Sequence, residues 1–395
     1  MKRRLSILFI EFFEGERTGG LILIACTLIS LIISNTRFGN SYIDFWQRPL
    51  DLSFLSISLN HSIAHWINDG LMTVFFLLVG LEIERELYVG EISDLKSALL
   101  PIFAAFGGMV VPALIHLSLN MGAATQPGIG IPVATDIAFA LGVLSLLGNK
   151  TPVSLKIFLT ALAIIDDLGA MVVIALFYAR GFSPFYFTAA MIVFAVLIAL
   201  NRLRVNSLWL YVLGGAAVWF FMLKSGVHAT IAGVILAFAI PFGKGDSTSP
   251  SYKMQHYLDK PVPFLILPAF ALANTCVPLS VDSLFRIVDR NTIGIFGGLL
   301  LGKPLGILAF SLIAVKSRLC KLPTDLTWPM VFSIGILGGI GFTMSIFITN
   351  LAFHDGNLIE NSKIAILCAS TFAGLIGYLF LRGNCPGRKN AGKSE

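Results

Sequence analysis

Apolar runs of close to twenty residues recur along this chain almost from end to end, and that recurrence constrains the fold more than any other feature. A helix of roughly 20 apolar residues crosses the hydrocarbon core of a bilayer. By length and flanking residues we read about twelve such spans, near 18–36, 61–81, 98–118, 128–148, 153–178 and 184–201 in the first half. The second half adds 208–223, 226–243, 262–278, 291–315, 327–350 and 361–381. With 56% hydrophobic and only 13% charged residues, the chain has too few polar groups to cover a water-facing surface. The expected fold class is an all-α integral membrane protein, a single transmembrane domain over 1–395.

Lys and Arg are in excess on the N-terminus, the C-terminus and alternate loops, which places both termini in the cytoplasm. The net charge of +6 is therefore a topology signal. A nucleic-acid partner would need basic residues clustered on one soluble domain, and none is present; the partner is the lipid bilayer. MKRRLSILFI begins like a secretory leader, but EFFEGER interrupts it and no small-residue cleavage site follows, so 1–17 reads as a cytoplasmic interfacial helix and 383–395 as a cytoplasmic tail. The five cysteines are scattered without metal-ligand or disulfide spacing, and no soluble stretch is long enough to hold an ATPase domain. No cofactor is expected, and energy for any transport must come from a gradient.

Two adjacent carboxylates, Asp166 and Asp167, lie in the middle of the uncharged stretch IFLTALAIIDDLGAMVVIALFY. A carboxylate at that depth costs roughly 2.5–3.5 kcal/mol on insertion scales. A second adds repulsion unless one of the two holds a proton or a cation. Neighbours on a helix point about 100° apart, so the pair can face two walls of one cavity. Lys303, at the centre of another span, is too deep to reach either interface and is the obvious partner, either as a structural ion pair or as part of a proton-exchanging group.

Two spans are interrupted. GIGIPVATDIAFALGVLSLLG carries Gly128, Gly130 and Pro132 ahead of Thr135 and Asp136, and FSIGILGGIGFTMSIFI carries Gly335, Gly338, Gly339 and Gly341. Both can unwind at mid-membrane, where freed backbone groups are tolerated only inside protein or along a cavity. For the second, close helix packing through small residues is the competing explanation. Asp136, just beyond a helix break, fits compensation of helix-end partial charges better than direct cation binding. An interrupted apolar segment in each half of the chain marks transporters built from inverted repeats, and Pro112 and Pro304, in the spans preceding the two breaks, are the remaining repeat signal.

Elsewhere, Glu82, Arg85 and Glu86 stand at helical spacing at the inner end of the second span, as a solvated salt-bridge face or as a cation-gathering, pH-sensing mouth. His228 begins a span and is either a packed histidine or a titrating one. Between the first two spans, 44–60 alternates apolar and polar residues and reads as a short outer β-hairpin, which either caps the spans or pairs with a second copy.

The strings IPVATDIAFALGVLSLLG, ALAIIDDLGA, GVHATIAGV, LLGKPLGI, GGIGFTMSIFI and NDGLMTVFFLLVGLEIERE, in this order, resemble those of the NhaA family of bacterial sodium/proton antiporters over nearly the whole chain. That family is itself one of the examples behind the rule about interrupted segments in inverted repeats. The resemblance implies twelve transmembrane helices with two broken, crossing ones, a small periplasmic β-hairpin that supports a homodimer, and a multi-pass protein of the bacterial inner membrane. It implies electrogenic export of Na+ or Li+ against entering H+, in service of sodium and pH homeostasis, by a secondary transporter and not an enzyme. By the same resemblance Asp167 is the principal ion ligand, with Asp166 beside it as the partner of Lys303. Thr135 and Asp136 lie at the crossing, and Glu82, Arg85, Glu86 and His228 belong to the pH response. In KMQHYLDK, Gln255 stands where the family pattern has Glu and Asp259 where it has His, which puts an inherited pH profile in doubt. Thr160 replaces an apolar Met.

Two other classes compete with this reading. A sodium channel would need a continuous pore with a selectivity region. An intramembrane aspartyl protease is suggested by the tripeptide Pro112–Ala113–Leu114, but adjacent carboxylates on one helix cannot flank a peptide bond.

Overall fold

Proline and glycine set where the helices of this chain change pitch, and those points turn out to carry the site. The computed structural model describes residues 2–51, 53, 59–90, 93–148, 151–179, 181–278 and 289–384, without the side chains of 2–17, 95–97 and 176. Eight helices among these are long and apolar enough to cross a membrane: Ile63–Tyr88, Ala98–Asn120, Gln126–Ser145, Val153–Ala175, Pro184–Arg202, Leu208–Ser225, Arg290–Lys316 and Gly356–Asn384. Two bent pairs raise the number to ten if each is one span: Thr18–Ser34 with Gly39–Gln47 at 115°, and Trp328–Gly338 with Phe342–Ala352 at 45°.

By length and composition the described residues thus show eight to ten spans where the sequence suggests about twelve. The stretches 226–243 and 262–278 hold helices over Ile231–Ala239 and 262–274 only. At 1.5 Å per residue they reach about 14 and 20 Å, short of the roughly 30 Å core. Gly226, with φ +79°, ends the preceding helix in a left-handed cap that few other residues adopt without strain, and Pro241 follows the first short helix. The 1–17 stretch is not set off by a break, because one helix runs over Lys2–Ser34. The hairpin also begins later than read: Gly39–Gln47 is helical, and the antiparallel strands are Pro49–Asp51 and Asn60–Ser62, with Leu50 opposite His61. Residues 52, 54–58 and 385–395, part of the expected hairpin and most of the expected tail, lie outside the described residues.

The chain divides into two compact units. One comprises Met1–Leu21, Asp94–Ala170 and Val281–Glu395. Its helices approach through small residues, as expected where lipid gives no hydrophobic drive for helices to associate. Leu95–Asn120 crosses Lys303–Lys316 at Gly107 and Gly306, where a Cβ on either would overlap the other's carbonyl oxygen. Just before Lys303, Gly298–Gly302 forms a π-turn. Pro304 has no N–H for the Leu300 carbonyl and its ring crowds that group, so the wider turn relieves the clash and sets the direction of Lys303. The first interrupted span is a tight 3-10 helix over Gln126–Val133, extended at 134–136, and an α-helix over Ile137–Ser145. The second breaks at 339–341.

The other unit comprises Ile22–Ser93 and Met171–Ser280. Its core joins Leu77, Leu81, Tyr211, Met222, Leu236 and Ile240. Ser30 and Tyr42 both donate to the Leu272 carbonyl, at 2.9 and 3.0 Å, which fixes the bent first pair against 262–274.

Candidate functional site

The Val153–Phe177 helix carries Asp166 and Asp167, both buried together with Lys303, Thr135 and Asp136. Lys303 Nζ lies 2.5 Å from Asp166 Oδ2 and also donates to Thr135 Oγ1. The Thr135 hydroxyl has one proton and two acceptors, Asp166 Oδ2 at 2.7 Å and the Gly338 carbonyl at 2.9 Å. It can therefore turn to Asp166 when that carboxylate is charged and to Gly338 when it is not. Asp166 Oδ1 is buried without a hydrogen-bond partner among the described residues. An anionic oxygen so placed is a seat for a proton or a desolvated cation.

Asp136 serves the second break. Its Oδ1 accepts from the Phe139 N–H at 3.0 Å and caps Ile137–Ser145. Its Oδ2 accepts from the N–H and the hydroxyl of Thr343, at 3.0 and 2.5 Å, in the first turn of Phe342–Ala352. Its own N–H donates to the Ile340 carbonyl at 2.6 Å. One carboxylate thus faces the positive ends of two helices, the arrangement that dipole compensation calls for. Ser345 Oγ donates to the Ile131 carbonyl at 2.7 Å and joins the two segments again.

The remaining predicted residues belong to the other unit. Arg85 and Glu86 meet at 3.4 Å, and Glu82 is buried on the same helix. His228 does not join that trio; its Nε2 donates to the Tyr178 carbonyl at 2.9 Å, which fixes the proton on Nε2. Gln255 is buried on Pro250–Leu258, and Asp259 stands 3.7 Å from His256. Burial raises the Asp259 carboxyl above its ordinary range, against the lowering influence of Arg85 and His256. Sequence reasoning missed Thr343, the partner of Asp136, although it lies in a quoted string. It also missed Glu84, which is buried and accepts from Ser251 Oγ at 3.0 Å. Spacing gave no sign of the latter, because its partner is 167 residues away.

Residues 10–381 match the model of the family described as Na+/H+ antiporter 1. A protein of Cytophaga hutchinsonii named Na(+)/H(+) antiporter NhaA is 57% identical over 379 residues, 96% of this chain and 96% of that one. Proteins of the same name from Flavobacterium psychrophilum and Dechloromonas aromatica are each 56% identical, covering 96% of this chain and 97% and 96% of theirs.

Proposed function

Because the chain belongs to the Na+/H+ antiporter 1 family, we propose that it expels Na+ or Li+ in exchange for entering H+, using Asp166 and Asp167 as a shared seat. The observation that carries this reading is the buried group of Asp166, Lys303 and Thr135, in which one carboxylate oxygen has no donor among the described residues. A cation at the aspartates and a proton on the same group are mutually exclusive, and exclusion alone gives coupling. Protons arriving from outside displace Na+ from Asp167 and load the Asp166–Lys303 pair. The site then turns inward as one bundle rocks against the other. Inside, the protons leave, Thr135 swings back to the charged Asp166, and Na+ rebinds.

In this reading Asp136 holds the two broken segments together while the carboxylates change partners. Twelve spans in two inverted repeats follow if the two short helices and their flanks complete a crossing each. Pro112 and Pro304, each on a helix ahead of a break, support the repeat. The chain is a multi-pass protein of the inner membrane with both termini cytoplasmic, and the strands Pro49–Asp51 and Asn60–Ser62 pair across a homodimer. Glu82, Arg85, Glu86 and His228 adjust the exchange to pH. Two protons per Na+ make the cycle electrogenic, worth about 2.3 kcal/mol per net charge per 100 mV.

Reconstituted protein tests it. A sodium gradient imposed on proteoliposomes should drive proton movement followed by an internal pH dye, and Asp167→Asn should abolish it. Sodium flux without proton counterflow would make the protein a channel, and full exchange by Asp167→Asn would remove the site assignment.

A further inference from the structure

His116 lies on the stripe of Leu95–Asn120 that also carries Gly108 and Pro112. At Gly108 an added Cβ would sit 4.0 Å from Asp166 Oδ1. Two turns further, about 12 Å along the axis, the imidazole is completely buried. Its Nε2 is 3.1 Å from Asn291 Oδ1, and Asn291 Nδ2 donates to Ser362 Oγ at 2.8 Å. Ser362 in turn donates to the Leu358 carbonyl at 2.6 Å. With the amide nitrogen of Asn291 committed to Ser362, its oxygen must accept, so the histidine proton is on Nε2. The ring is then neutral, and its Nδ1 lone pair is buried without a partner among the described residues.

The Gln126–Val133 segment rests on this chain of bonds. A Cβ at Gly128 would lie 2.8 Å from Phe353 Cζ, 3.0 Å from His116 Nε2 and 3.1 Å from Asn291 Oδ1. Asn120, also buried, donates to the His116 and Arg290 carbonyls at 2.9 and 3.1 Å and accepts from Thr125 Oγ1 at 2.6 Å, just before Gln126. The segment so held leads directly into Thr135 and Asp136.

We propose that His116 is a positioning residue for the exchange reaction: its Nε2–H, continued through Asn291 and Ser362, clamps the segment that presents Thr135 and Asp136, and its Nδ1 is the point at which a proton releases the clamp. A proton there creates a buried cation whose new N–H has no partner among the described residues, so the charged ring favours conformers in which water reaches it. The ionisable groups nearest in sequence on the surrounding elements, Asp289, Arg290, His354, Asp355, Glu360 and Lys363, are exposed or half-buried. Gln126–Val133 carries none, and Lys303, on the same helix as Asn291, is engaged with Asp166.

The inference rests on the antiport reading, and two variants test it in proteoliposomes. His116→Gln supplies an amide N–H near the position of Nε2 but cannot titrate. It should match the wild type at alkaline pH and lose one ionisation from the acid limb of the rate profile, a limb that can fall about tenfold per pH unit in the wild type. His116→Phe removes the donor to Asn291 and should lower kcat about tenfold while leaving the Na+ KM within about twofold, since the carboxylates are untouched. A His116→Gln profile that overlays the wild type overturns the release by a proton, and wild-type kcat in His116→Phe overturns the clamp. If His116→Phe does not fold, melting in detergent decides without transport: the wild type should lose more stability on acidification than His116→Gln, and equal losses overturn the proposal. Failure of the wild type itself to move protons under a sodium gradient would fall on the antiport reading instead.

Discussion

Lys303 Nζ stands 2.5 Å from Asp166 Oδ2, with both side chains wholly withdrawn from solvent. The two come from helices 137 positions apart in the chain, and Thr135, from the first broken span, touches both. An ion pair this deep gives up hydration that its attraction only partly replaces, so stability alone is a weak reason to keep it. Opening and closing with a proton or a cation is a better one.

The pair predicts a particular pattern of stabilities. Lys303→Met leaves Asp166 without its cation, and Asp166→Asn leaves a buried ammonium. Each single change should cost about 3–5 kcal/mol, whereas the double variant should recover most of that loss. Melting of the four proteins in detergent provides the cycle, and simple additivity of the two losses would contradict it.

Asp136 predicts a graded series. Asp136→Ala strips acceptors from the first turns of two helices, Ile137–Ser145 and Phe342–Ala352, and should cost more than a single cap, about 2 kcal/mol or above. Thr343→Val removes only the hydroxyl donor and should cost about 1 kcal/mol. Melting temperatures in that order support the shared cap; equal values would mean that Asp136 serves one helix only.

The sequence made the spans and breaks visible for a physical reason. A bilayer demands unbroken apolar length, and Pro132 or a run of glycines cannot be carried through it without interrupting a helix. Lys303 and Asp166 were likewise readable as partners, because both are charged and deep. What one dimension hides is direction. Glu82, Arg85 and Glu86 read as one face, yet the neighbouring Glu84 is the one tied to Ser251. Nothing in the apolar helix around His116 points to its partner, because Asn291 is 175 positions away. The strand boundary was misjudged because SYIDFWQ has aromatic and β-branched residues that suit either state, and helix wins there.

His61 carries the pH prediction. On strand Asn60–Ser62, its ring stacks on His65 at 4.2 Å and 25° and meets Trp66 edge-on. Burial, and then the neighbouring His65, hold its pKa below the usual 6.5. The neutral ring is the form the fold prefers, so the contribution to stability is full above the unfolded value and is lost as pH falls below it. His61→Phe should keep the stack and flatten that loss. Hydrogen exchange at Leu50 and residue 61, comparing the two proteins at each pH, reads it directly; identical acid sensitivity would exclude His61 as the source.

The crossing of Leu95–Asn120 with Lys303–Lys316 leaves no room for a side chain at its centre. At Gly107 and Gly306 each added Cβ would meet the opposite backbone carbonyl, which has no rotamer by which to yield. The helices would have to separate, and both lead straight to the site: Gly108 faces Asp166, and Lys303 is one turn from Gly306. Gly107→Ala or Gly306→Ala should therefore cost about 2 kcal/mol or more and depress transport as well. Gly356→Ala, at a helix start with open space around it, should cost nothing. Because both alanines act by spreading the same crossing, the double variant should lose less than the sum of the singles. Wild-type melting in Gly107→Ala would show that the helices do not approach this closely.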